Sequence, residues 1–235
     1  QYHSPPVVPE PTPGIAPEPA PDDNPQRAET GKPTTPKQIH RPTGTPITIV
    51  TGLPRSGTSM VMQMLAAGGL PLLTDGVRQA DESNPRGYLE YQPVKSLSRD
   101  NQWMGQAEGK AVKIIAQLLR YLPFEYQYDL LFVERDLGEI VASQTKMLTR
   151  DGQQGAQLSA DQLSRVYETQ LAGVRQWLAG RPQMRVLFLE HGEIVANPAA
   201  EADRIAKFLR QPVTATDMSA AVDQSLYRNR MKGDR

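Results

Sequence analysis

The stretch "ITIVTGLPRSGTSMVMQML", residues Ile47–Leu65, decides the fold. Its β-branched opening, "ITIV", reads as a strand. Gly52 and Gly57 bound a loop, and Val61, Met64 and Leu65 then recur at helical spacing. Strand, glycine-bounded turn and helix in that order aim backbone N–H groups and the positive end of a helix dipole at one point, which is an anion site. Four residues separate the two glycines, as in the Walker loop G-x-x-x-x-G-K-[ST], but Thr58 and Ser59 follow Gly57 and the lysine is absent. Arg55 carries the loop's charge instead. Its planar fork suits an oxyanion and the oxygen bridging it to its neighbour, while Thr58 and Ser59 add neutral donors.

Outward from this stretch, Gly68 and Gly69 mark the helix end, and the apolar face runs through Leu70 into a second short strand. "AVKII" reads as another short strand and "YDLLFVE", 128–134, as a continuous buried one, followed by the helix "LGEIVASQTKML". "LSADQLSRVYETQLAGVRQWLAG" opens with Ser159 and Gln162 at capping-box spacing and sets Leu163, Val166, Tyr167, Leu171, Val174 and Leu178 on one stripe. "MRVLFLE" is a further core strand. "NPAAEADRIAKFL" starts a helix with Asn197 as cap and Pro198 in the first turn. This alternation predicts an α/β domain, a three-layer α/β/α sandwich around a mainly parallel sheet, over residues 46–235.

Residues 1–45 contrast with this, holding most of the 21 prolines and almost no large apolar side chains. They cannot bury enough surface to offset their ordering entropy, and are expected to form a disordered, extended linker. A linker implies something to link, and Gln1 in place of methionine reads as the start of a fragment or processed product, so an upstream domain is expected. The chain balances 26 basic against 26 acidic side chains, which gives no electrostatic footprint for nucleic acid. Without cysteine it has no disulfide, thiolate metal site or cysteine nucleophile. No apolar run reaches the length that spans a bilayer.

"PRSGTS", "NPRGYLEY" and "FVERDLGEIVASQ", taken together, resemble the sulfotransferases that use 3′-phosphoadenosine-5′-phosphosulfate (PAPS). "LFLEHGEIVANPAAEADRIAKFL" is similar to the closing strand and helix of bacterial members. The resemblance implies a P-loop NTPase-like sulfotransferase fold, PAPS as co-substrate and no metal. It implies a 5′-phosphosulfate loop of Arg55, Ser56, Gly57, Thr58 and Ser59. In that family an arginine ending a core strand and a serine eight positions on bind the 3′-phosphate, and Arg135 and Ser143 stand at that spacing. Read without the family, Arg135 ends a strand where open α/β sheets place ligands, and Ser143 falls on the inward stripe with Ile140 and Met147. The competing reading pairs Arg135 with Glu134 or Asp136 and bonds Ser143 back to its own helix.

Sulfuryl transfer moves a group less charged than phosphoryl, so side-chain cations serve where kinases need a metal. Arg55 would neutralise the transferring group, and Glu90 is the expected base, the resembling bacterial enzymes carrying a glutamate in the same setting. Asp75, Asp81 and Glu82 compete with it by proximity, and His191 is a rival base. Met60, Met62 and Met64 read as packing, and the basic tail "YRNRMKGDR" as a solvated end. The alternatives are a P-loop kinase or NTPase, and a nucleotide-binding module without turnover. The expected acceptor is a small molecule, glycan or peptide, and the expected location, taken from where PAPS is made, is cytoplasmic.

Overall fold

A computed structural model describes residues 44–223, apart from 79, 82, 83, 85, 151–158 and 182–183. The proline-rich linker up to residue 43, the basic tail and Glu82 lie outside the described residues.

Strands β1 (Ile47–Gly52), β2 (Ala111–Lys113), β3 (Tyr128–Glu134) and β4 (Met184–Glu190) form one sheet in the order β2-β1-β3-β4. All three pairings are parallel, and β1 runs beside β3 from Ile47↔Tyr128 to Gly52↔Val133. Every residue of β1 is buried, including the polar Thr48 and Thr51, as in a strand covered on both faces. Alternate side chains feed two cores. Ile47, Ile49, Leu130 and Phe132 join one face, and Val50, Leu131 and Val133 the other. Each such side chain, once fully buried, contributes about 1.5–3 kcal/mol.

One face is covered by helix α3 (Ala160–Ala179) and the short 3-10 turns between residues 92 and 121. The other is covered by α1 (Thr58–Ala67), α4 (His191–Ala196), α5 (Pro198–Phe208) and α6 (Ala215–Ala220). Helix α2 (Leu137–Arg150) leaves the end of β3. The three-layer α/β/α expectation holds, with a sheet that is parallel throughout. Among the described residues no helix is long and apolar enough to cross a membrane.

Local signals place several boundaries. Gly68 caps α1, Gly69 follows at φ 91, and Val61, Met62, Met64 and Leu65 are its buried face. Met62 and Met64 are packing, and Met60 lies half-buried against the same core. The α3 capping box is complete, with the Gln162 N–H donating to Ser159 Oγ at 3.2 Å and the Ser159 N–H donating to Gln162 Oε1 at 2.9 Å.

Four expectations change. The strand expected after Leu70 is a single bridge, Leu72↔Ala111. β4 is an edge strand rather than a core one, with Arg185, Phe188 and Glu190 exposed, because it has β3 on one side and no strand on the other among the described residues. The α3 stripe is half-covered for the same reason, buried at Leu178 but 40% exposed at Val166. Asn197 stands at the α5 N-cap without capping it, since α4 ends beside it and its amide donates to Glu193 Oε2 at 2.9 Å. Pro198 is in the first turn as expected.

Candidate active site

The loop after β1 is shaped by two close approaches. A Cβ at Gly52 would lie 2.5 Å from Ser56 Oγ and 2.5 Å from the Val133 carbonyl, so only glycine lets the chain turn there. Gly57 caps α1 at φ +104, and a Cβ on it would sit 2.3 Å from Cδ2 of His191. Between them Arg55 adopts a left-handed φ of 70, unusual outside glycine. Ser56 Oγ is fully buried with no partner among the described residues, in a place where buried polar atoms are nearly always bonded. Thr58 and Ser59 open the helix behind it.

Arg135, at the end of β3, and Ser143, on α2, come to this loop from the other side. Arg135 Nη1 donates to the Arg55 carbonyl at 3.2 Å, and Arg55 Nε donates to Ser143 Oγ at 3.0 Å. Arg135 pairs with neither of its sequence neighbours. Its Nε meets Glu139 Oε2 at 2.8 Å, while Glu134 is held by Arg175 and Asp136 Oδ1 accepts the Glu139 N–H at 2.9 Å. Ser143 is buried beside Ile140, as the helical stripe requires, and its partner is the loop rather than its own helix. Burial lowers the Arg55 pKa, with Arg135 adding repulsion and Tyr88 and Asp81 opposing both.

Glu90 reaches the same place through Lys113, the last residue of β2. Lys113 Nζ donates to Ser59 Oγ at 3.3 Å and to the Tyr88 carbonyl, and lies 3.5 Å from Glu90 Oε1. Arg78 Nη1 holds the same carboxylate oxygen at 3.0 Å. Burial pushes the Lys113 pKa down to about 8 against the pull of Glu90. Glu90, Arg78, Arg86 and Tyr88 line a cleft of about 340 Å³.

The competing acids are otherwise engaged. Asp75 accepts the N–H groups of Gln92 and Val77, which lower its pKa, and Asp81 accepts the Asn84 N–H and the Tyr88 hydroxyl. His191 is buried against Gly57, its pKa pushed down to about 4 first by burial and then by Arg135.

All seven predicted cofactor residues and Glu90 are therefore gathered around one loop. Lys113, Tyr88, Arg78 and Glu139 join them without having been expected from the sequence. A lone lysine in the otherwise apolar "AVKII" is a usable signal, because a buried charge needs a reason. Arg55, Arg135 and Lys113 ring a loop of backbone amides, an arrangement for a polyanion, and a carboxylate stands at its edge where an acceptor can approach.

No protein-family model matches the chain, and no curated protein matches it. Several solved structures are similar in fold. A sulfotransferase domain from the curacin biosynthetic pathway shares 13% identity, covering 77% of this chain and 88% of that one, with a TM-score of 0.46. A sulfotransferase from Mycobacterium tuberculosis H37Rv shares 13% identity over 75% of this chain and 71% of that one, at a TM-score of 0.48. A sugar kinase from a Janibacter species shares 17% over 70% and 94%, at a TM-score of 0.38. At these identities the likeness is one of fold.

Proposed function

We propose that this chain is a sulfotransferase that moves the sulfuryl group of PAPS to a hydroxyl or amine of an acceptor by in-line displacement. One observation carries the reading. The pair expected at a 3′-phosphate, Arg135 and Ser143, is bonded directly to Arg55 of the loop expected at the 5′-phosphosulfate. Ser56 Oγ, buried without a partner among the described residues, and the two glycines that no side chain could replace fit a phosphate seated on the loop amides.

When bound, PAPS supplies an activated sulfuryl group, whose sulfur–oxygen bond to the nucleotide breaks as the bond to the acceptor forms. Arg55 neutralises charge on the bridging oxygen. Lys113, beside Ser59 at the head of α1, adds a second cation from the neighbouring strand. Glu90 orients the acceptor and takes its proton, and Arg78 and Lys113 fix the carboxylate. Arg135 and Ser143 hold the 3′-phosphate, with Glu139 setting the Arg135 fork.

Thermal shift with 3′-phosphoadenosine-5′-phosphate against ATP plus magnesium, followed by labelled sulfate transfer from PAPS, tests this. Arg55→Ala should cut turnover by about 10²–10³-fold with the fold intact, and Glu90→Gln should lower turnover more than nucleotide affinity. Stabilisation by ATP–magnesium alone would sink the proposal in favour of a kinase or NTPase, and nucleotide binding without transfer would favour a binding module.

A further inference from the structure

We propose that Tyr88 is the positioning residue of this reaction centre, its ring and carbonyl fixing Arg78 and Lys113 around Glu90. The inference rests on the sulfotransferase reading for its kinetic consequence, though not for its geometry. Tyr88 is 4% exposed. Its hydroxyl donates to Asp81 Oδ2 at 2.8 Å, which ties the ring in place.

The Arg78 guanidinium stacks on the ring at 3.4 Å from the centroid, and Nη1 of that same group holds Glu90 at 3.0 Å. The Tyr88 carbonyl accepts from Lys113 and, at 3.4 Å, from Ser59. A packed tyrosine needs one partner for its hydroxyl. Here the ring and the carbonyl each hold a cation of the site, and both cations also hold Glu90. The backbone is bent to allow it, with left-handed φ values of 85 at Gly87 and 51 at Leu89 on either side.

An ångström of misplacement in a group that meets the reacting atoms costs about 10²-fold. Tyr88→Leu removes the ring under Arg78 and keeps the carbonyl that Lys113 meets, while Tyr88→Phe keeps both. Tyr88→Leu should lower kcat by about ten- to a hundredfold with the nucleotide KM near that of the parent chain, and Tyr88→Phe should retain most of the activity. A second measurement needs no turnover. The Hδ resonances of Arg78, assigned by their loss in Arg78→Lys, should be shifted upfield by the ring in the parent chain and in Tyr88→Phe, and return to ordinary positions in Tyr88→Leu. Upfield signals with a split between kcat and KM in Tyr88→Leu support the assignment. Arg78 signals at ordinary positions in the parent chain overturn it, as does a loss of activity that follows only the loss of folded protein. A parent chain with upfield Arg78 signals and no transfer from PAPS would defeat the proposed function and leave the positioning role standing.

Discussion

Lys113 is a cation that the site holds at a cost to the fold, and replacing it with methionine measures that cost. Its side chain is 9% exposed, and burial drives its pKa from 10.5 down to about 8. Below pH 8 the lysine is charged in both the folded and the unfolded chain, so the folded state carries the full desolvation penalty. Between about pH 8 and 10.5 the folded protein gives up the proton while the unfolded chain keeps it, so stability rises with pH across that window. The gap from 10.5 to about 8, at about 1.4 kcal/mol per tenfold, amounts to about 3 kcal/mol.

Lys113→Met keeps the volume and removes the charge. Around pH 7 it should match or exceed the parent chain in stability, as apolar replacements of buried ions often do, while sulfuryl transfer falls. Urea unfolding of both chains from pH 7 to 10.5 reads the difference. The parent should gain about 3 kcal/mol relative to Lys113→Met over that range. A difference that stays flat with pH would refute the reasoning, and so would strong destabilisation of Lys113→Met at pH 7, which would make the lysine a net structural tie.

Two other substitutions probe the support beneath the loop. His191 stays neutral in the fold down to about pH 4, whereas the unfolded chain protonates below its ordinary 6.5. Stability present above pH 6.5 should therefore fall by about 3 kcal/mol as the pH drops to 4, and His191→Gln should flatten that limb of the urea-unfolding profile. Gly57→Ala forces a side chain onto φ +104 and drives Cβ to 2.3 Å from His191 Cδ2. The backbone cost of about 1–2 kcal/mol and the overpacking cost of about 1–3 kcal/mol should appear together in the unfolding midpoint. His191→Ala in the same chain should recover only the packing share, and a Gly57→Ala protein as stable as its parent would count against the close packing of Gly57 on His191.

The local chemistry of this chain was legible from one dimension. Strand β1, the glycine loop, both ends of α1, strand β3 and the α3 capping box depend on neighbours a few residues away, and each appears where spacing and residue type place it. Arg135 and Ser143 were legible too, because a strand end and two helical turns set their common direction. What the sequence left open depends on contacts between distant segments. Whether "MRVLFLE" is central or an edge is settled by how many strands lie beside it, and apolar composition is the same in both cases.

The partner of Ser143 is Arg55, 88 positions away, and the partners of Glu90 include Lys113 on strand β2. Residue types and spacing determined that this chain builds an anion-binding loop at the head of a helix, since the turn, the cap and the dipole are all local. Tertiary structure alone decided which cations surround that loop and which carboxylate is left facing the cleft. Desolvation and hydrogen bonding act through space, and the sheet order that brings β2, Arg78, Tyr88, Glu90 and α2 to one end is a property of the whole fold.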